Sequence, residues 1–263
     1  MHVFELRYPG TWLTGMSPAE AQPIQMVLHL FETHLADAAV SLSWFEESRP
    51  VMRNRRPARE EREQRAAKAR AIEAEVEKRI PEGLPPQEAW AAREALRDAA
   101  TSEARRGEWS RGCVPETYAF RVPFIHAHSF LFALVGILKA LRAIEGMAAA
   151  PAPARIAAKR FESLFPTAVG IRDSAHHVEE RARGLKRGGK PIELKPIETG
   201  PIRAPAGALM LSMLNGNRLG YTMDDGAYGE LEVSRETLES AQVIIQEVLD
   251  AFAWKGPVRT VPT

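Results

Sequence analysis

The sequence predicts a mainly α fold: a helical bundle that reads as one domain over 1–263 and carries two insertions. Three observations predict it. Apolar residues recur at steps of three and four over long stretches near 24–45, 124–144 and 168–185, the stripe of helices that face a shared core. Residues 57–110 are rich in Glu, Arg, Lys and Ala with thin apolar seams, which predicts a protruding charged helical hairpin. Residues 207–233 switch to short runs split by tight-turn signals, which predicts a small three-stranded antiparallel β-meander.

In chain order, Val3, Phe4, Leu6 and Tyr8 suit a short strand ending at the Pro9-Gly10 turn. Ser17-Pro18 reads as an N-cap followed by the first helical residue, opening a helix to about Ser48. His29 and His34 on that helix read as solvated or core-edge residues. Residues 49–58 break the pattern and carry four arginines, and Arg53, Arg55, Arg56 and Arg59 would serve an RNA-contacting or dimer-forming arm if the hairpin were more than a solvated face. The seams Ala69, Ile72, Val76, Ile80 and Ala89, Ala92, Leu96, Ala99 flank the turn Pro81 to Pro86. The most apolar helix is expected from about Pro123 to Met147, and its apolar residues nearly encircle it, as in the central helix of a bundle. His126 and His128 in its first turns point to different faces, which suits structural roles. Pro151-Ala152-Pro153 is a short connection to an antiparallel helix over about 153–185, with a kink or break near Phe165 because Pro166 removes a backbone donor. Residues 186–205 read as a loop. Asn215-Gly216 and Asp225-Gly226 mark the hairpin turns. Ser234 caps a last helix to about Trp254, and the residues after Gly256-Pro257 are expected to be mobile.

Composition bounds the function. In 263 residues, Lys and Arg number 35 against 34 Asp and Glu, a net charge of +1, so no global field draws in nucleic acid or an anionic membrane. RNA binding would need a local basic patch. The single cysteine, Cys113, excludes an intrachain disulfide and fits a cytoplasmic location. The N-terminus has an early acid and no long apolar run, unlike a secretory signal. The longest apolar run, Phe130 to Leu138, is too short to span a bilayer, so no membrane partner is expected. No Glu stands three residues before a His, as di-iron bundles require. The phosphate-loop, Cys-x-x-Cys and His-Glu-x-x-His signatures are also absent. No cofactor or metal is expected.

The densest chemistry lies beside the stripe Ala168, Ile171, Ala175, Val178, Ala182 and Leu185, in Arg172-Asp173-Ser174-Ala175-His176-His177. On an ideal helix each residue turns ~100°, so Arg172 and His176 stack on one flank with Glu179 and Arg183. His177 falls on the other flank with Ser174 and Arg181. A neutral imidazole can take or give a proton near neutral pH, and a guanidinium offers a permanent charge and forked donors to phosphate oxygens. The same charges also suit a helix surface laced with local ion pairs.

The string from Arg172 to His177 resembles the signature of the HEPN superfamily, an Arg followed after four to six residues by a His. Asp173 fits the family's habit of placing Asn, Asp or His directly after the Arg. The resemblance covers the bundle helices only and implies a metal-independent endoribonuclease of a toxin or defence system. It also implies a homodimer with the site near the two-fold, RNA as substrate and an antitoxin protein as partner. The family spacing assigns proton transfer to His177, while helix geometry assigns it to His176. Asp173 would orient the Arg or a His. Many relatives in that superfamily have lost activity, so the second reading is a non-catalytic bundle that dimerises or binds a partner.

Overall fold

A computed structural model describes residues 1–49, 59–200 and 202–262, so the arginines at 53, 55 and 56 lie outside the described residues. The chain divides into two compact units, one made of 1–49 and 122–263, the other of 50–121. The fold is mainly α with small antiparallel sheets.

The first unit opens with β1 (Leu6–Tyr8) and β2 (Trp12–Leu13), then α1 (Pro18–Ser48). Ser17 and Glu20 form a reciprocal capping box at its start, which satisfies two backbone donors that a helix end leaves orphaned. Ile24, Leu28, Phe31, Leu35, Leu42 and Phe45 make its buried stripe. In the second unit, α2 (Arg59–Arg79) and α3 (Pro86–Ser110) are antiparallel helices joined by a turn, and Val76 and Ala100 are their buried apolar residues. Arg97 clasps both carboxylate oxygens of Glu73, with Nε at 2.6 Å and a terminal nitrogen at 3.1 Å. Arg93 with Glu77 and Lys68 with Glu108 extend this seam of ion pairs.

The central helix α4 (Glu116–Glu145) begins seven residues before Pro123, the residue expected to open it. The carbonyl of Pro115 accepts from the amides of Tyr118 and Ala119 and starts the helix there, and Pro123 is buried inside it. Its apolar window is the one stretch among the described helices long and apolar enough to cross a membrane, and 67% of it is buried within the protein. That is the signature of a core helix. It runs antiparallel to α1, as the contacts of His34 with Gly136 and of Trp44 with His126 show.

The single helix expected over 153–185 is instead four short ones: α5 (Ala152–Arg155), α6 (Ala157–Leu164), α7 (Ala168–His176) and α8 (Val178–Ala182). The break at Phe165 falls beside Pro166, where it was expected. A further break at His177 has no proline to announce it.

The segment expected as a loop over 186–205 contains a hairpin, β3 (Ile197–Thr199) with β4 (Ile202–Ala204). Ile197 is buried there, which gives the hairpin an anchor that its Pro- and Lys-rich flanks conceal. The meander follows as β5 (Met213–Asn215), β6 (Arg218–Thr222) and β7 (Tyr228–Glu232), paired in that order. Asn215 faces Arg218 across a two-residue turn with Gly216 at φ +62°, the left-handed conformation such turns demand. Ser234 caps α9 (Arg235–Ala251) by accepting from the Thr237 amide. The chain then forms β8 (Trp254–Lys255) and β9 (Arg259–Val261). The tail expected to be mobile is thus a strand: β9 pairs with β1 and β8 with β2, both antiparallel. Tyr8 explains the attachment. Its buried ring meets Trp254 edge-on at 5.7 Å, lies under the Arg259 guanidinium at 4.7 Å, and donates its hydroxyl to the Leu28 carbonyl at 3.0 Å.

Candidate functional site

The motif helix α7 is set by its contact with the meander. Gly170 lets the helix approach Met223, since a Cβ there would lie 2.6 Å from the Met223 sulfur. Gly229 on β7 makes room for the same side chain, with a Cβ position 2.9 Å from that sulfur. Thr167 donates its hydroxyl to the Glu230 carbonyl at 2.7 Å and fixes the start of the helix. Ala168 and Ile171 are fully buried in the core.

From the other end the motif is held by Arg181, whose side chain is 1% exposed. Its guanidinium reaches Asp224 in the β6–β7 turn at 2.8 Å, the Leu185 carbonyl at 2.8 Å and the Ser174 hydroxyl at 3.3 Å. A buried guanidinium needs this many acceptors, because each unpaired N–H would carry a desolvation cost. Ser174 and Arg181 fall on one flank, as helix geometry placed them, but they are structural rather than solvated.

The motif side chains themselves divide at the helix break. Arg172 sits in the second turn of α7, clear of its N-terminus, and pairs with Asp173 at 3.0 Å. Its Nε is shielded from water and has no hydrogen-bond acceptor. His176 is the last residue of α7 and is exposed, with its ring edge-on to Phe132 of α4 at 6.4 Å between centroids. His177 leaves helical geometry at φ −110° and ψ 42°, and its ring stands edge-on to that of His176 at 5.1 Å. Glu179 is 3.9 Å from its Nδ1, too far for a hydrogen bond. Among the described residues no hydrogen bond joins Arg172 to either histidine. The structure therefore brings together Arg172 with Asp173 and His176 with His177, and it links His176 to the Arg172 face through Phe132.

Arg172 also lines a concavity of about 360 Å³ between α1, α4 and α7, together with His34, Phe132 and Lys139. Burial holds the His34 imidazole below its ordinary range, Asp37 pulls it back up, and the charge of Lys139 adds to the depression. These three side chains were missed because their proximity to Arg172 is tertiary. The one local signal was Gly136, a glycine within an otherwise crowded apolar helix. A Cβ there would come within 2.7 Å of the His34 ring. His126 stacks on Trp44 and His128 meets the Tyr221 hydroxyl at 2.5 Å, both as packing residues rather than as a pair.

Among the described residues no three His, Cys, Asp or Glu side chains gather as a metal site. No family model, no curated protein and no solved structure matches this chain.

Proposed function

We propose that the chain is a metal-independent endoribonuclease of HEPN type, cytoplasmic and dimeric, belonging to a toxin or defence system with an antitoxin partner. The observation that carries this reading is Arg172: partly buried at a concavity, with an inner donor that no protein acceptor satisfies. A guanidinium so placed suits a phosphate oxygen, and a charge-assisted bond of that kind is strongest where water is excluded. His176 stands one turn further along α7, beside the exposed ring of Phe132, a surface on which a nucleobase can stack.

In the proposed reaction a histidine takes the proton of a ribose 2′-hydroxyl. The 2′-oxygen forms a bond to phosphorus as the bond from phosphorus to the 5′-oxygen breaks. Arg172 stabilises the charge on the phosphorane, and the departing 5′-oxygen takes a proton from water, whose hydroxide then receives the proton held by the imidazolium. The products are a 2′,3′-cyclic phosphate and a 5′-hydroxyl. Helix geometry favours His176 for the proton transfer and the family spacing favours His177. Asp173 positions Arg172 through their ion pair.

The test is cleavage of a mixed RNA pool in chelator, with analysis of the end groups. Arg172→Ala and the histidine that acts, replaced by Ala, should each lower the rate by ~10²–10⁴-fold. Loss with His176→Ala alone assigns the role to His176, and loss with His177→Ala alone assigns it to His177. Unchanged cleavage in Arg172→Ala would refute the reading.

The second reading is a non-catalytic interaction protein. Met26, Leu30, Val40 and Trp44 are exposed on α1, as are Ile125 and Phe132 on α4. Such a face suits contact with another protein. A wild-type chain that cuts no RNA but self-associates would favour it.

A further inference from the structure

We propose that His34, Lys139 and Arg172 form one subsite for a tetrahedral phosphate group, assembled from α1, α4 and α7. It deepens the ribonuclease reading by adding two residues outside the motif, and it rests on that reading only for the identity of the ligand as RNA.

Three groups converge on the concavity, each with donor capacity the protein leaves unused. Lys139 is exposed and has no ion-pair or hydrogen-bond partner among the described residues. Arg172 keeps its shielded Nε unsatisfied even though a terminal nitrogen holds Asp173. His34 makes no hydrogen bond among the described residues, and its ring lies against Gly136. A surface cation normally relaxes toward water or a carboxylate, and a shielded donor without an acceptor carries a free-energy cost. The acids nearby do not fill the space. Asp173, which pairs with Arg172, and the exposed Asp37, which acts on His34, both lie outside the lining. At about 360 Å³ the cavity stands at the small end of ligand-sized pockets, which run from about 300 to 1,000 Å³. The rest of the wall is apolar, which strengthens the attraction of the cations for an oxyanion. Phe132 forms part of that wall and continues toward His176, so a phosphate held here would leave an attached nucleoside facing the motif histidines.

The test uses the full chain with two probes, inorganic phosphate and a 2′-O-methyl RNA oligonucleotide that this chemistry cannot cleave. Binding is read from the His34 ring resonances and by calorimetry. Both probes should move those resonances saturably and compete with each other. Lys139→Ala should weaken oligonucleotide binding by ~10- to 100-fold, the worth of one charge-assisted hydrogen bond. It should also lower the slope of log affinity against log salt by about one. Gly136→Ala, which displaces the His34 ring without changing charge, should weaken binding while the fold survives.

Saturable phosphate binding that Lys139→Ala abolishes, in a protein that cuts no RNA, supports the subsite and removes the ribonuclease reading. Cleavage at wild-type rate and KM in both Lys139→Ala and Gly136→Ala overturns the subsite and leaves that reading intact. Absence of any saturable His34 shift with either probe also overturns it.

Discussion

Arg181 and Arg172 show how differently two arginines of one motif region are used. Arg181 is buried with acceptors on several sides, and Glu180 beside it has a shielded carboxylate oxygen with no hydrogen-bond partner, 3.8 Å from the guanidinium. Arg181→Met removes the cation and leaves that oxygen and the Ser174 hydroxyl without it. Loss of one partner from a buried pair costs about 3 kcal/mol, and the half-exposed Asp224 keeps the figure at that lower end. Chemical denaturation should show that loss with an unchanged slope. Arg172→Ala, in contrast, removes a donor that is already unsatisfied, so its stability should stay within ~1 kcal/mol of wild type. Gly136→Ala tests the residue beneath His34. The helix gains about 1 kcal/mol in propensity, and the displaced ring loses contact of similar worth. Its melting temperature should therefore change little even as His34 moves.

At the scale of elements, the hairpin of α2 and α3 buries few apolar side chains and carries a seam of ion pairs at its surface. Exposed pairs contribute little each and weaken in salt, so local protection from hydrogen exchange in 59–110 should fall between 0.05 and 0.5 M salt, while α4 stays protected. Those two concentrations span roughly a threefold change in screening length, about 14 to 4 Å. Equal loss of protection in both would show that the hairpin is not a separate cooperative unit. The elements also show what a sequence carries. The N-cap at Ser17, the stripe of α1 and the Asn215-Gly216 turn are local, and each was legible from a few neighbouring residues. The strand β9 was not, because three residues of tail acquire their meaning only from Leu6 to Tyr8, at the other end of the chain. The break at His177 was also hidden, since no proline or glycine stands there, and the Asp224 that holds Arg181 just beyond it lies far away in sequence. Within the candidate site, Arg172 and the two histidines could be read as a motif. His34, Lys139 and Phe132 could not, because helices distant in sequence bring them to Arg172.

For the whole molecule, the balance of charge near zero leaves local burial to decide the response to pH. His34 and His126 are both held below the ordinary imidazole value, in each case first by burial. The charges acting on His34 are Asp37 and Lys139, with Arg172 lining the same concavity, and His126 stacks on the ring of Trp44. As pH falls through the ordinary imidazole value, the unfolded chain takes up these two protons before the folded one does. Stability from this source is therefore complete above that value and declines as pH falls toward the lower folded values. Denaturation midpoints should drop between pH 7.5 and pH 5.5, the interval that brackets the ordinary imidazole value of about 6.5. The double variant His34→Gln, His126→Gln should show a flatter profile over that interval. A profile as steep as wild type would place the acid sensitivity in other groups. Phosphate offers a check on the same residue from the opposite direction. An oxyanion held beside His34 favours its protonated form, so saturating phosphate should raise the His34 midpoint and reduce the acid loss in wild type, and should do neither in Lys139→Ala.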